Sequence, residues 1–156
     1  LYVSTQGGRN YLLCRGATNR KILSFRIDYI QEATVKDIYP GFDEALEEFE
    51  KMSKHMWGVA CTKDRKFEHI EVDIQVGIGE DYIVRRLNRE KRCGNIRKID
   101  DETYRFSADV LDAYEIVPWI RTFFGRIKAV RSDNAEVVNQ LKLDIVKLAK
   151  QYGVIK

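Results

Sequence analysis

The chain has 156 residues, of which 44% are hydrophobic and 33% are charged. This is enough for one ordinary domain or two small ones, and no apolar run approaches the roughly 20 residues that a membrane-spanning helix needs. The formal net charge of +3 is too small to indicate nucleic-acid binding by itself, but it is unevenly distributed, with +3 over residues 1–35, −2 over residues 36–70 and +2 over residues 71–156.

The first forty residues carry a β pattern. Tyr2–Ser4 and Asn10–Arg15 are predicted strands on either side of a glycine-containing hairpin turn, Gln6-Gly7-Gly8-Arg9. Because strand begins almost at Leu1 and no signal peptide precedes it, we expect this chain to be part of a longer protein.

The next predicted strand, Ile22–Ile30, alternates between two faces. We expect Leu23, Phe25 and Ile27 to face a core and Arg26 to lie on the open face. A further short strand is predicted over 30–36, and successive hairpins of this length suit a small barrel.

An acidic helix is predicted over 43–56, after Pro40-Gly41 ends the β pattern. Phe42, Leu46 and Phe49 fall on one helical stripe. The acidic residues crowd the first turns, where negative charge complements the helix dipole. We interpret this segment as a connecting helix, followed by an irregular stretch over 57–66.

The second half has the element order β-α-β-β-α-β-α. The predicted elements are a strand over 68–77, a helix from Glu80 to about Asn88 or Lys91, strands over 95–99 and 103–111, a helix over 114–124, a strand over 126–131 and a helix from Asp133 or Asn134 to Tyr152. This is the ferredoxin-like split βαβ order with one extra C-terminal helix, so the predicted class is α+β.

Cysteine and histidine usage limits the possible chemistry. Cys14, Cys61 and Cys93 are an odd number without close spacing, which excludes a disulfide framework and a CxxC metal site. Reduced thiols are typical of the cytoplasm, where we expect the protein. His55 and His69 lie in different predicted elements. With no nucleophile, zinc-protease or Walker motif, the sequence predicts no enzyme, no metal and no other cofactor.

Two groups of residues together resemble the WYL family of bacterial transcriptional regulators. The first is Asn10-Tyr11-Leu12 with the strand Phe25–Ile30, which is similar to the second half of a WYL domain. The second is Trp57-Gly58-Val59 with residues 115–120 and 124–130, which is similar to the WYL C-terminal extension. Asn10 stands where the family name places tryptophan, and Tyr29 stands where many members carry a second arginine.

The resemblance implies a partial Sm-like, SH3-type barrel at 1–40, a connecting helix and linker at 41–66 and a ferredoxin-like extension at 67–156. It also implies a homodimer that senses a nucleotide or single-stranded nucleic acid and controls operator DNA binding by a winged-helix domain outside this chain. The alternative is a constitutive interaction or scaffold module without a small ligand.

Arg26 is the leading candidate for holding such a ligand, because a guanidinium can bind a phosphate through two hydrogen bonds and a tyrosine ring can stack on a base. Its expected neighbours come from the adjoining turns and are Arg9, Arg15, Arg20 or Lys21, with Tyr11 or Tyr29 as the ring that stacks on a base. The alternative is an ordinary solvated charge that pairs with Asp28 or Glu32.

A second basic run contains Arg85, Arg86, Arg89 and Arg92. It is a candidate phosphate-binding surface or part of a dimer groove facing the acidic helix. The alternative is a solvated helix face with local pairs, since Arg86 and Glu90 have i,i+4 spacing.

Two further patterns have structural interpretations. Gly77-Ile78-Gly79 precedes a helix but lacks the third glycine of a phosphate-binding turn, so it predicts a simple strand-to-helix turn. The last helix carries an apolar seam that either packs on its own sheet or contributes to a dimer, formed by Val138, Leu141, Ile145, Leu148 and Tyr152.

Overall fold

The computed structural model describes residues 2–4, 8–16, 18, 21–61 and 66–155. Within these ranges the chain is a mixed α+β protein with two antiparallel sheets and four α-helices, and neither sheet closes into a barrel. No helix in the same ranges is both long and apolar enough to cross a membrane. The turn residues Gln6 and Gly7, and the candidate Arg20, lie outside the described residues.

The first sheet has three antiparallel strands in the order β1-β2-β3. They are β1 (Tyr2–Ser4), β2 (Arg9–Arg15) and β3 (Ile22–Arg26). Gly8, with φ +59°, leads into β2 in the left-handed conformation that glycine adopts without penalty. The third strand is shorter than predicted, because the chain turns into a single 3-10 turn at Ile27–Tyr29.

The buried face of this sheet is the reverse of the predicted one. Ile22 is only 5% exposed, whereas Phe25 is 48% exposed and Ile27 is also exposed. Ile22 belongs to a small core cluster with Met56, Cys61 and Leu111. Alternation separates the two faces of a strand, but both faces of β3 carry apolar residues, so the pattern could not show which face the rest of the molecule covers.

The strand predicted over 30–36 is wrong, since residues 30–41 contain no helix or strand. Val35 and Ile38 are 95% and 94% exposed. Without a neighbouring strand to pair with, the β-branched residues of this segment cannot form a ladder of backbone hydrogen bonds, so their intrinsic preference is not expressed.

Helix α1 (Phe42–Ser53) connects the two halves, three residues shorter at its end than predicted. Asp43 and Glu44 lie in its first turn, next to the positive end of the helix dipole. Its apolar side chains Phe49 and Met52 pack against the small cluster around Ile22. The helix therefore covers the face of the first sheet that the sequence pattern left open.

The second half forms a four-stranded sheet with the order β5-β6-β4-β7, in which all neighbours are antiparallel. Its elements are β4 (Glu68–Gln75), α2 (Asp81–Glu90), β5 (Asn95–Asp100), β6 (Thr103–Val110), α3 (Val117–Arg121), β7 (Ile127–Ser132) and α4 (Ala135–Gln151). Each of them except α3 lies close to its predicted range.

The helix predicted over 114–124 differs in detail. The chain forms a 3-10 turn at Ala113–Ile116 and then the short α3, which has Pro118 near its start. Proline has no backbone N–H to donate to a preceding carbonyl, so a regular α-helix cannot extend backwards through it.

The main core lies on one face of the second sheet. Ile70, Val72 and Ile74 of β4 are fully buried there. They share this core with four aromatic side chains whose rings contact one another at centroid distances of 5.0–5.7 Å, namely Trp57, Phe106, Trp119 and Phe123. Trp57 precedes the sheet in a segment without regular structure, so the irregular stretch after α1 supplies a central core residue.

Candidate ligand-binding surface

Arg26 lies at the end of β3, directly opposite Tyr11 on β2. Directly opposed side chains of an antiparallel pair project from the same face of the sheet, so these two lie side by side. The 3-10 turn after β3 then returns the chain, and the Arg26 guanidinium carbon lies 4.0 Å from the centre of the Tyr29 ring. The structure therefore brings together three of the residues that the sequence predicted for a site.

The guanidinium of Arg26 already has a carboxylate partner. Its Nε donates to Asp28 Oδ1 at 3.0 Å, its Nη2 pairs with Asp28 Oδ2, and its Nη1 donates to the Tyr29 hydroxyl at 3.0 Å. The hydrogen bond to Asp28 raises the pKa of Arg26, and the same bond lowers the pKa of Asp28. The pairing with Asp28 is thus the arrangement that the sequence offered as the ordinary alternative.

The other predicted neighbours divide into two groups. Arg9 is exposed and close enough to Asp28 for its charge to lower the pKa of that carboxyl. Arg15 lies four residues from Tyr11 along β2, and its side chain is 9% exposed between Glu44 and Glu48 of α1, at 3.4 and 3.7 Å. Arg15 therefore joins the first sheet to α1 and does not contribute to a surface around Arg26.

We call the group Arg9, Tyr11, Arg26, Asp28 and Tyr29 the Arg26 surface. It displays two cations, one carboxylate and two aromatic rings on the exposed end of an open sheet. An exposed ion pair in water is weak because solvent screens it, so a better anion can replace a carboxylate there.

The second basic run divides into two parts, since Arg89 and Arg92 line one cleft and Arg85 and Arg86 do not. Arg86 Nε donates to Glu90 at 3.0 and 3.1 Å, as the i,i+4 spacing predicted, and its guanidinium lies over the Phe123 ring at 4.4 Å. Arg89 Nη2 contacts the same Glu90 at 3.2 Å. Arg85 is exposed on α2. Arg92, beyond the helix end, donates to the backbone carbonyl of Trp57 at 2.6 Å.

The face of the second sheet opposite its core carries a network of charged residues. This network could not be predicted without knowing the order of the strands in the sheet. Asp73 is 7% exposed and accepts two hydrogen bonds from Arg105, at 2.6 and 2.9 Å, and one from Arg131 at 3.0 Å. The bonds from Arg105 lower the pKa of Asp73. The alternation of residues in β4 predicted a polar face, but it could not show that β6 and β7 are the neighbours of β4 in the sheet.

The glycine turn before α2 holds a carboxylate of its own chain. Glu80 accepts the backbone N–H of Gly77 at 2.8 Å and pairs with both terminal nitrogens of Arg126 at 2.6 and 2.7 Å. The Arg126 hydrogen bonds lower the pKa of Glu80 to about 2. Because this carboxylate occupies the turn, the turn has a structural role, as its incomplete glycine pattern predicted.

The apolar seam of α4 divides along its length. Of its predicted residues, Leu141 is buried in the main core and Val138 is only partly buried, while the neighbouring Val137 is fully buried. The second half of the helix leaves its larger apolar side chains exposed, including Ile145, Leu148 and Tyr152. The first half therefore packs on its own sheet, and the second half has no cover in the described part of the chain.

Comparison of the chain with protein-family models, with curated proteins and with solved structures found no match in any of the three.

Proposed function

We propose that the chain is the effector-sensing and dimerisation region of a bacterial transcriptional regulator of the WYL type. Its ligand would be an anionic nucleotide or a short single-stranded nucleic acid bound at the Arg26 surface. The observation that carries this proposal is the placement of the Arg26 guanidinium over the Tyr29 ring, with Tyr11 directly opposite Arg26 in the neighbouring strand, on an exposed sheet end. This combination offers a guanidinium to a phosphate and an aromatic ring to a base, which are the contacts that these two groups prefer.

The mode of binding follows from the contacts of Arg26. A phosphate oxygen pair would take the place of the Asp28 carboxylate, because both groups present two acceptor oxygens to the same guanidinium edge. Arg9 would add a second positive charge beside it. The aromatic rings would then stack on a base, an interaction that tolerates any base sequence.

The fold is compatible with this family. The second half combines a β-α-β-β-α-β order with the antiparallel strand order β5-β6-β4-β7, which supports a ferredoxin-like assignment with α4 as the additional helix. The first sheet is an open set of three hairpin-connected strands, which supports a partial Sm-like barrel.

Dimerisation is proposed through the second half of α4. Its exposed apolar side chains are the kind of surface that pairs with an identical helix in a two-fold symmetric dimer. If the ligand binds one arrangement of the paired subunits more tightly than another, ligand binding would favour that arrangement. The DNA-binding domains outside this chain would then be repositioned with the subunits.

The experiment is a titration of short single-stranded oligonucleotides and of cyclic nucleotides at two salt concentrations. We expect saturable binding that weakens with salt and that Arg26→Ala reduces by about tenfold or more, the effect of losing one charge-assisted phosphate contact. Arg85→Ala removes the same charge from an exposed position on α2 and serves as the matched control.

Asp28→Asn makes the test sharper. If Asp28 competes with the ligand for Arg26, removing its charge strengthens binding, whereas a loss of binding would show that Asp28 belongs to a structural pair. Binding that is identical in the parent protein and in Arg26→Ala would contradict the proposed site.

The second candidate function is a constitutive interaction module without a small ligand. It is favoured by the existing Arg26–Asp28 pair and by an exposed apolar patch that Leu12, Phe25 and Ile27 form on the other face of the first sheet. Absence of binding by any of the nucleotides in the titration would favour this function.

A further inference from the structure

A cleft lies where the end of α2 approaches the beginning of α3 and the segment that carries Trp57. Its volume is about 530 Å³, in the range of sites for small organic ligands. One side is cationic and the other is apolar: the lining includes Arg89, Lys91 and Arg92 together with Trp57, Pro118 and Trp119. The Arg26 surface belongs to the other sheet, so this cleft is a separate feature.

Two of the three cations of the cleft, Lys91 and Arg92, have no carboxylate partner in the described part of the chain. Lys91 Nζ donates to the carbonyl oxygen of Gly94 at 3.1 Å, and Arg92 Nη1 donates to the carbonyl oxygen of Trp57 at 2.6 Å. Both acceptors are uncharged, and no carboxylate in the described ranges forms an ion pair with either side chain. An ammonium has three donors and a guanidinium has five, so both groups retain donors for an oxyanion.

The acidic residue that lines the cleft is already engaged. Glu90 accepts hydrogen bonds from Arg86 at 3.0 and 3.1 Å, from Arg89 at 3.2 Å and from the indole nitrogen of Trp119 at 3.2 Å. Its charge is therefore directed to α2 and to Trp119, and the charge of Lys91 and Arg92 remains in excess.

Trp57 adds a second sign of incomplete hydrogen bonding. Its side chain is 1% exposed, and its indole Nε1 has no hydrogen-bond partner among the described residues. Buried indole N–H groups normally have one, since a buried donor without an acceptor is unfavourable. The Arg92 guanidinium lies 5.9 Å from the centre of the same ring. The Arg92 guanidinium and the Trp57 ring therefore lie near each other at the cleft.

We propose that this cleft binds a small organic oxyanion that carries a flat apolar group. Its carboxylate or phosphate contacts Lys91 and Arg92, which have no other anion. Its ring packs against Pro118 and the edge of Trp119, the apolar side of the cleft. Size, excess charge and apolar wall together favour such a ligand over a bare inorganic anion, which would leave the apolar side in contact with water.

The chain offers a built-in probe for this binding. Trp57 and Trp119 are its only tryptophans and both line the cleft, so a ligand bound there lies next to every tryptophan of the chain. The titrants are benzoate and phenyl phosphate, with neutral benzamide and inorganic phosphate as the ring-only and anion-only controls. We expect a saturable change in emission with at least one of the two aromatic anions, and affinities weaker by about tenfold for both controls.

The relative affinities of benzoate and phenyl phosphate distinguish a carboxylate from a phosphate ligand. Lys91→Gln and Arg92→Gln are each expected to weaken binding by about tenfold. Arg85→Gln removes the same charge from the exposed side of α2 and should leave it unchanged. Arg92→Lys keeps the charge near the cleft and guards against misfolding of the glutamine variant, with circular dichroism as the check on folding.

Three results would overturn the proposal: no saturable emission change with either aromatic anion, equal binding of benzamide, or equal binding by the Lys91→Gln and Arg85→Gln variants. Arg26→Ala separates this site from the proposed function, because it should weaken nucleotide binding at the first sheet by about tenfold or more and leave the binding of benzoate or phenyl phosphate intact.

Discussion

The carboxylate of Glu115 is expected to be a main support of the segment that positions Trp57. Its Oε2 accepts the backbone N–H of Gly58 at 2.8 Å, and its Oε1 accepts those of Val59 and Ala60 at 2.8 and 3.1 Å. Three successive backbone donors thus converge on one side chain that lies 55 to 57 residues further along the sequence. Without it, these donors in a partly buried loop have no carboxylate to bind.

Replacement of Glu115 by glutamine gives a magnitude that can be worked from these contacts. The single amide oxygen can keep the position of Oε1 and its two donors, but the NH₂ group then faces the N–H of Gly58. One charge-assisted hydrogen bond is lost and two donors oppose each other, so we expect a loss of about 1.5–3 kcal/mol in the free energy of unfolding. Glu115→Ala removes all three bonds and should cost more.

Urea unfolding followed by circular dichroism and by tryptophan fluorescence measures this loss. Glu102→Gln, at an exposed turn position, is the control for removing one negative charge. A loss below about 0.5 kcal/mol in Glu115→Gln, the range of ordinary surface substitutions, would refute the assigned role.

Gly58 gives an independent check of the same contact. A Cβ added there would lie 2.4 Å from Glu115 Oε1, so Gly58→Ala must displace the carboxylate, with an expected cost of about 1–3 kcal/mol. Because both substitutions break one interaction, the double variant Gly58→Ala with Glu115→Ala should lose less than the sum of the two single variants. Strict additivity would mean that the two residues act separately.

Three further predictions test other parts of the structure. Ile22→Ala should cost about 2–5 kcal/mol in unfolding free energy, as at other buried sites, whereas Phe25→Ala should cost less than about 1 kcal/mol. The opposite ranking would mean that the face carrying Phe25 is the buried one, as the sequence pattern predicted. Gly94→Ala should destabilise by about 1–3 kcal/mol in thermal or urea unfolding, because Gly94 has φ +77° and an added Cβ would lie 2.4 Å from the backbone oxygen of Ser107. In Arg126→Met, a carboxyl titration by NMR should show the pKa of Glu80 rising from about 2 toward its usual 4.5, although the Gly77 N–H keeps it somewhat lower. In the parent protein, the stability that the Glu80–Arg126 pair contributes should be present above pH 4.5 and be lost as the pH falls from 4.5 toward 2. An unchanged pKa of Glu80 in the variant would contradict the Arg126 contact as the cause of the shift.

The second half of the fold was largely predictable from the sequence. Strict alternation over Ile70, Val72 and Ile74, glycines at the ends of elements and a long final helix determine local structure through short-range preferences, and these agreed with the tertiary packing. The order in which the strands lie in the sheet was implied only by the element order. The charge network around Asp73 depends on that order, and it could not be predicted from residues far apart in sequence.

The first half shows where such patterns fail. Ile22 on one face of β3 and Phe25 on the other are both large and apolar, and only the packing of α1 decides between them. Trp57 lay in a segment without periodicity and was therefore assigned to a linker, although it is among the most buried side chains of the main core. The presence of one large aromatic residue in an otherwise irregular segment is a sequence signal that would have indicated the burial of Trp57.

The candidate site was predictable in part. Cross-strand proximity of Tyr11 and Arg26 followed from the hairpin, and the competing Asp28 was anticipated from its spacing. Arg15 was misplaced because alternation puts it on the same face as Tyr11, and its burial depends on the acidic side chains of α1. Arg89 and Arg92 of the cleft belong to the predicted basic run, but the cleft itself was missed because its lining comes from three separate segments.

The segment 55–61 connects the two halves of the molecule. The carbonyl of His55 accepts the N–H of Leu111 at 3.0 Å, beyond the end of β6, and Cys61 Sγ donates to the carbonyl of Ile22 in β3 at 3.6 Å. Between them, the Trp57 carbonyl accepts from Arg92. An anion that draws Arg92 away from the Trp57 carbonyl would remove a hydrogen bond from this segment, which also contacts the first sheet through Cys61 and Ile22. Since Ile22 and Arg26 belong to the same short strand, a series of packed and hydrogen-bonded residues joins the two proposed sites.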